Sequence, residues 1–472
     1  MKNILLIHAS KKVLLKRDNL FTNESLTPSL GLASISAHCR QHDINSKIID
    51  LRLPHRTLND VITYIEENRP ILVGITAFTS EIASAGKVAK LIKQQFPKTI
   101  IVVGGPHPSA IPIETLQEFC DFDIAVVGEG EETIVELVNA LDGGTVDNLK
   151  DIRGIAGTIN SEIRLSLPRG PIHDINVLPF PAWDLFELEY YTNVFPVSAS
   201  RGCPYSCYFC NPNYLGKKVR IRTFSRVVDE VEWLVEKYGV RKIQFADATL
   251  SLLKKSAIQM CDELIKRGLN KRIEWDCETR ADSVNEQLLE RMKEAGCRWL
   301  ALGVETGNER ILEVVSKKGE NKEQIRQAVK MAKKVGIKVR CFFILGHYGE
   351  TVDTIKETIN FALELNPDAL SFGLMVPNPG TEIRKLAEQR TGGLRILHNR
   401  WEDYNQFNYS CYELDNLPLK ELKKWQSNAY FSFYIRHPLK AIGLFLDKSS
   451  YNYNIKALLK IPLMLLIRKL KK

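Results

Sequence analysis

Twice along this chain, short β-branched apolar runs alternate with longer stretches whose apolar residues recur every three or four positions, and that pattern leaves few folds open. In the first block the short runs lie at 3–7, 46–49, 71–75, 100–103 and 124–127. The helical stretches between and after them are 30–41, 58–68, 81–95 and 131–141. Strands alternating with helices of this length predict a parallel sheet covered on both faces, here a doubly wound, Rossmann-like five-stranded α/β domain over 1–142. Residues 143–194 are short, irregular and punctuated by Pro168, Pro171, Pro179 and Pro181, and read as a linker. In the second block strands are predicted at 197–200, 242–246, 273–279, 299–304, 339–345 and 369–375. The intervening helices fall at 225–238, 255–267, 286–295, 321–334 and 351–365. Six consecutive units of this kind predict a partial (β/α)6 TIM-type barrel over 195–380, with functional residues at the carboxyl ends of its strands. Residues 381–472 read as a mainly helical C-terminal segment.

Charge is unevenly spread. The chain has 65 Lys and Arg against 56 Asp and Glu, but 436–472 alone holds nine Lys or Arg against Asp447. The remainder is close to neutral, which argues against a broad nucleic-acid-binding face and predicts no nucleic-acid partner. The last stretch, 455–472, is a basic amphipathic segment interrupted by Lys460 and Pro462. It fits either a membrane interface or a terminal helix packed on the body. The N-terminal apolar run is too short for a signal peptide and no run of eighteen apolar residues occurs, so the expected location is the cytoplasm or the inner face of the cytoplasmic membrane.

Ten cysteines are present, seven of them scattered singly, which suits a reducing compartment better than a disulfide framework. The other three crowd into Cys203-Pro-Tyr-Ser-Cys207-Tyr-Phe-Cys210, directly after the first strand of the second block. Three thiolates on one short loop can hold three irons of a cubane cluster and leave the fourth iron open for a ligand. A structural zinc site with a fourth ligand from elsewhere, or a loop with incidental cysteines, are the alternatives. In the first block, Gly-bearing turns fall at the strand ends in 74–80, Gly104-Gly105-Pro106-His107 and Gly128-Glu-Gly130-Glu. Ligands of doubly wound sheets sit there, and glycines permit close approach of backbone to a flat ligand, or simply a tight turn. No Gly-x-Ser-x-Gly elbow and no P-loop occurs, so hydrolase and nucleoside triphosphatase readings have no support.

The string C-x3-C-x2-C with Phe209 before its last cysteine resembles the radical S-adenosylmethionine superfamily over about 195–380. The resemblance implies that Cys203, Cys207 and Cys210 ligate a [4Fe-4S] cluster whose open iron chelates S-adenosylmethionine. One-electron reduction would then yield a 5'-deoxyadenosyl radical that takes hydrogen from substrate. Further matches are Phe245-Ala-Asp247, Glu278-Thr-Arg280, Gly303-Val-Glu305 and Ile344-Leu-Gly346, which makes Phe209, Asp247, Arg280, Glu305 and Gly346 candidates to contact S-adenosylmethionine. Two departures stand out. Ala248 occupies a position where a second acid is common, and Tyr348 replaces a usual proline.

The first block resembles the cobalamin-binding module of class B members of the same superfamily, through Pro28-Ser-Leu-Gly31, Gly104-Gly-Pro-His-Pro108, Val126-Val-Gly-Glu-Gly-Glu-Glu-Thr133 and Leu178-Pro-Phe-Pro-Ala-Trp-Asp-Leu185. The implied cobalamin-binding candidates are Thr76, Gly104, Gly105, His107, Gly128 and Gly130. No Asp-x-His-x-x-Gly occurs, so the familiar histidine ligand to cobalt is absent, and His107 between two prolines reads as part of a fixed turn. The implied activity is cobalamin-dependent methylation of an unactivated carbon, on a small molecule, a lipid or another hydrophobic substrate, with a one-electron donor such as flavodoxin or ferredoxin. A radical cyclase, oxidase or rearrangement enzyme acting on a tetrapyrrole- or isoprenoid-type substrate is the alternative, and a metal-binding regulatory protein the non-enzymatic one.

Overall fold

The computed structural model describes residues 2–10, 13, 26–142, 149, 151–159, 162–315, 319–406 and 410–440; the basic tail 455–472 lies outside them. The N-terminal domain runs β1 (Lys2–His8), α1 (Leu30–Gln41), β2 (Ile44–Asp50), α2 (Leu58–Asn68), β3 (Leu72–Thr76), α3 (Ile82–Gln95), β4 (Ile101–Gly104), α4 (Pro106–Ala110), α5 (Pro112–Glu118), β5 (Ile124–Val126) and α6 (Glu131–Asp142). These five strands are parallel in the order β2-β1-β3-β4-β5. Ile4 to Ile7 of β1 are all buried, as expected of a central parallel strand with helices on both faces.

The linker reading of 143–194 is corrected in part. Two strands, β6 (Ile155–Ile159) and β7 (Glu162–Leu165), add antiparallel to β5 and extend the sheet to seven. They are short, and β7 exposes Glu162 and Arg164, paired at 2.7 Å, on the outer edge. Charge on an edge strand blunts further pairing, and it also hides the apolar signal that would have announced a strand.

In the barrel, β8 (Phe195–Val197) is followed by a hairpin of β9 (Ser200–Arg201) and β10 (Arg220–Ile221). Then come α7 (Phe224–Tyr238), β11 (Lys242–Phe245), α8 (Lys254–Lys266), β12 (Glu274–Thr279), α9 (Glu286–Glu294), β13 (Cys297–Glu305), α10 (Glu309–Val314), α11 (Lys322–Lys334), β14 (Lys338–Leu345), α12 (Val352–Leu365) and β15 (Ala369–Leu374). The order β8-β11-β12-β13-β14-β15 is sequential and wholly parallel. The predicted first strand, 197–200, is two elements. The chain leaves the barrel after Val197 so that β9 can pair with β10 and close the base of the cysteine loop.

The C-terminal segment supplies α13 (Glu382–Glu388), a short antiparallel pair β16 (Leu394–Ile396) and β17 (Tyr412–Leu414), and α14 (Leu419–Arg436). It caps the open edge of the barrel. The Phe372 N–H donates to Tyr430 Oη (2.9 Å), Gln426 Nε2 donates to the Phe372 carbonyl (2.7 Å), and the Leu374 N–H donates to the Gln406 carbonyl (2.7 Å). Backbone groups of β15 that a seventh strand would have paired are thereby satisfied.

Candidate functional site

Cys203, Cys207 and Cys210 lie on the loop between β9 and β10, beyond the carboxyl ends of the barrel strands. Cys203 and Cys207 are half-buried and Cys210 is exposed; the scattered cysteines are buried, apart from the exposed Cys120. The Cys203 N–H donates to the Gly216 carbonyl (3.1 Å) and the Cys210 N–H to that of Cys207 (2.9 Å), so the loop has a fixed internal shape. Protein crowding around the Cys210 sulfur, then Cys207, Cys203 and Glu305, pushes that thiol up to about 12. A thiol raised in this way becomes a thiolate when a cation binds it, which fits iron. Among the described residues no three His, Cys, Asp or Glu side chains converge on a single ion. A cubane asks for something else, because each thiolate ligates a different iron.

The strand-end residues form an arc around this loop. Phe209 is partly buried, 6.4 Å from the His347 ring after β14. Asp247, after β11, accepts from the Ala199 N–H (3.0 Å) and the Ser200 hydroxyl (2.5 Å), and burial pushes its carboxyl up to about 6 against those bonds. Both of its oxygens thus hold the root of the cysteine loop. The Arg280 guanidinium, after β12, lies 3.9 Å from the ring centre of Tyr205 inside the loop and pairs with Asp282 at 2.7 Å. Glu305 ends β13 at a bulge with φ 65°, buried and electrostatically felt by Cys210. Gly346 follows β14 and donates its N–H to the buried Glu350 carboxylate.

On the N-terminal sheet the strand order reverses between β1 and β3, the position at which such sheets bind ligands. Thr76 ends β3 there, and Phe78 beyond it is 54% exposed, an unusual surface for phenylalanine and one suited to a flat apolar macrocycle. Gly104 ends β4, and Gly105 follows at φ 109°, where a Cβ would stand 2.8 Å from the Ala77 carbonyl oxygen. The two strand ends meet only because that atom is missing. His107 is buried beneath Trp401 of the C-terminal segment, ring centres 4.9 Å apart. Neither of its ring nitrogens has a hydrogen-bond partner among the described residues, and burial, with help from Arg384, lowers its pKa to about 4. The ring is neutral and its place is a packed turn. The Gly128 N–H donates to Ser109 Oγ (3.0 Å), and the Gly130 carbonyl accepts the Ile134 N–H (2.9 Å) that opens α6.

Residues that sequence reasoning did not single out connect these parts. Tyr208 Oη lies 2.9 Å from His347 Nδ1 and accepts the Tyr348 N–H (3.1 Å), so the departure at Tyr348 sits on the loop itself. Glu129 and Glu131 lie inside the Gly-Glu-Gly-Glu string and Arg201 two residues before Cys203; they face each other across the two domains. The signal that could have found them was charge: two acids in one motif and an arginine in the other.

Residues 197–362 match the radical SAM superfamily, and residues 17–138 match the B12 binding domain. The chain is 36% identical over 415 residues to an uncharacterized methyltransferase of Pyrococcus horikoshii, covering 87% of this chain and 88% of that relative. It is 29% identical over 390 residues to the anaerobic magnesium-protoporphyrin IX monomethyl ester cyclase of Cereibacter sphaeroides, covering 79% and 61%. Among solved structures it resembles the radical S-adenosylmethionine methyltransferase TsrM of Kitasatospora setae, with TM-score 0.72 and 20% identity over 90% of this chain and 89% of that one. It also resembles the cobalamin-dependent radical enzyme OxsB, with TM-score 0.67 and 22% identity over 79% and 53%. With a cysteine loop at the barrel mouth, a Rossmann-like sheet beside it and these relatives spanning both, the chain belongs to the radical SAM superfamily, in the branch that carries an N-terminal cobalamin-binding domain and uses a [4Fe-4S] cluster, S-adenosylmethionine and cobalamin.

Proposed function

We propose that the protein is a cobalamin-dependent radical methyltransferase acting on an unactivated carbon of a small molecule. The observation that carries this reading is the anchoring of the cysteine loop on the carboxyl edge of the B12-binding sheet, through Arg201 to Glu129 (2.9 Å) and to Glu131 (2.7 Å). When bound, the cluster and S-adenosylmethionine supply a hydrogen-abstracting radical, and cobalamin supplies a methyl group. The chain's own residues bind, orient and exclude water. Cys203, Cys207 and Cys210 ligate the cluster; Phe209, Arg280, Glu305 and Gly346 face S-adenosylmethionine, and Asp247 acts through the loop root that it holds. Thr76, Gly104, Gly105, His107, Gly128 and Gly130 shape the corrin face. The 36% identical relative named as a methyltransferase supports methylation; the relatives named as cyclases support the second reading, ring closure with the same cofactors.

The barrel lumen favours a polar substrate over the lipid suggested by the tail. Cys277, Leu300, Leu302, Val339 and Cys341 are buried against the helices, so the alternating positions Asp276, Glu278, Ala301, Gly303, Arg340 and Ser371 face inward. Two carboxyls and one guanidinium thus stand there with two aromatic rings, Trp299 and Phe342, and the Arg340 guanidinium lies 5.1 Å from the Trp299 ring centre. Burial pushes Asp276 up to about 7 despite Arg340, with Glu278 adding to the rise. Charges held this way favour a partner that carries polar or ionic groups of its own.

Incubating the reconstituted enzyme under reducing conditions with methyl-labelled S-adenosylmethionine and polar cell extract should give a labelled product one methyl heavier than its precursor. An unlabelled product two hydrogens lighter would instead establish ring closure or oxidation. For the corrin face, a Cβ on Gly105 is strained by about 1–3 kcal/mol at this extended positive-φ conformation, before its overlap with Ala77. Gly105→Ala is therefore expected to lose most of the cobalamin retained after desalting while keeping its iron, as read by metal analysis.

A further inference from the structure

We propose that Glu129 and Glu131 are positioning residues which, through Arg201 and Arg220, lock the base of the cysteine loop to the cobalamin-binding domain and so fix the separation of cluster and corrin. Glu129 spends both oxygens on this joint: Oε1 accepts from Arg201 Nη1 (2.9 Å), and Oε2 from Arg220 Nη1 (2.7 Å) and the Ile172 N–H (2.7 Å). Glu131, the first residue of α6, accepts from Arg201 Nη2 (2.7 Å). Arg220 also donates from Nη1 to the Ile172 carbonyl (2.7 Å) and from Nη2 to the Leu215 carbonyl (2.6 Å), the latter inside the loop, while its buried Nε–H has no hydrogen-bond partner among the described residues. Arg201 and Arg220 are themselves partners in the β9–β10 hairpin, so one pair of guanidinium groups grips both strands at the loop's root.

Glu129, Glu131 and Arg220 are buried, and Arg201 is nearly so. Burial works against the Arg201 charge, and Glu131 and Glu129 more than offset it. Two buried acids against two buried bases balance in charge, and separating them would leave ions unpaired in a low-dielectric joint. Domains of one chain ordinarily move relative to one another unless their interface is large and apolar. Here a polar joint adds to the apolar core that runs from the first sheet through the connector to the barrel, and the connector is drawn into the joint through Ile172. Such a network contributes little net stability compared with apolar packing, but it admits one arrangement of its partners, which is what a pair of cofactors acting in sequence requires.

The proposal rests on the cluster and cobalamin occupying their two domains and not on methylation, so it is tested without substrate. The probe is the dipolar broadening of the cob(II)alamin electron paramagnetic resonance signal by the reduced cluster in the reconstituted holoenzyme. The double variant Glu129→Gln with Glu131→Gln should keep wild-type iron and cobalamin content but lose the single broadened signal, giving a spread of couplings. A merely structural role lowers the unfolding temperature and leaves the broadening unchanged, and that result overturns the proposal. Arg220→Lys, which keeps the charge but cannot serve Glu129, Ile172 and Leu215 together, is the second variant should the double substitution fail to fold. Broadening identical to wild type there overturns the proposal equally.

Discussion

Each of Cys203→Ala, Cys207→Ala and Cys210→Ala is expected to lower iron in the anaerobically reconstituted protein from about four per chain to below one, and 5'-deoxyadenosine formation to background. A cubane with two protein thiolates has lost a third of its protein ligands, and no other cysteine among the described residues is grouped to replace the missing one. The apoprotein should remain folded. Cys203 and Cys207 are half-buried, and Cys210 is exposed as a residue although its sulfur is enclosed, so each truncation removes one small side chain and should shift stability by about 1 kcal/mol. Gly202→Ala separates loop shape from ligand count, because it retains all three thiols. Gly202 has φ 99°, and a Cβ there would lie 2.6 Å from the Lys218 carbonyl oxygen and 2.9 Å from that of Gly216. Those are backbone atoms of the same loop, so relief requires the loop to open. Its iron content should fall with that of the cysteine variants; a Gly202→Ala protein with four irons and undiminished 5'-deoxyadenosine formation would show that the loop's shape is not needed.

How much of this was legible in the sequence follows from what periodicity encodes. A run such as Ile4 to Ile7 or Val339 to Leu345 states that its side chains are buried, and consecutive β/α units can bury them in few ways, so both parallel sheets follow from pattern alone. The pattern is silent where burial is half satisfied. β6 and β7 escaped because Glu162 and Arg164 replace apolar residues on an outer edge. The predicted strand 197–200 merged two elements because nothing in Val197 to Ser200 records that the chain changes partner from β11 to β10. In the site, three cysteines at fixed spacing state a chemistry by themselves. The partners of Arg201 do not: the charges of both motifs are visible, but nothing in the sequence pairs this arginine with glutamates some seventy residues away. The same holds for Asp247: its sequence context suggests a ligand contact, and the fold turns it toward Ala199 and Ser200.

Glu350→Gln is expected to abolish a pH dependence of stability that the native chain carries. Glu350 is fully buried, and its Oε2 accepts the N–H groups of Gly346 and, at 3.2 Å, His347, while Oε1 has no hydrogen-bond partner among the described residues. Burial pushes the carboxyl from an ordinary 4.5 up to about 8, with the two N–H groups pulling the other way. A carboxyl whose pKa is raised on folding binds its proton more tightly in the native state. Its contribution is therefore most favourable below about pH 4.5 and is lost progressively as pH climbs to about 8. At 1.36 kcal/mol per unit the loss amounts to about 5 kcal/mol at most. Glutamine offers the same acceptor oxygen without the charge. Thermal unfolding of the apoproteins should give similar stability at pH 5 and a more stable variant at pH 8.5; parallel profiles for the two proteins would refute the assignment. The turn that Glu350 holds carries His347, which meets Tyr208 of the cysteine loop at 2.9 Å. Ionising this one carboxyl strains the support of the cluster loop from beneath, so the native protein should also release iron faster at alkaline pH than Glu350→Gln does.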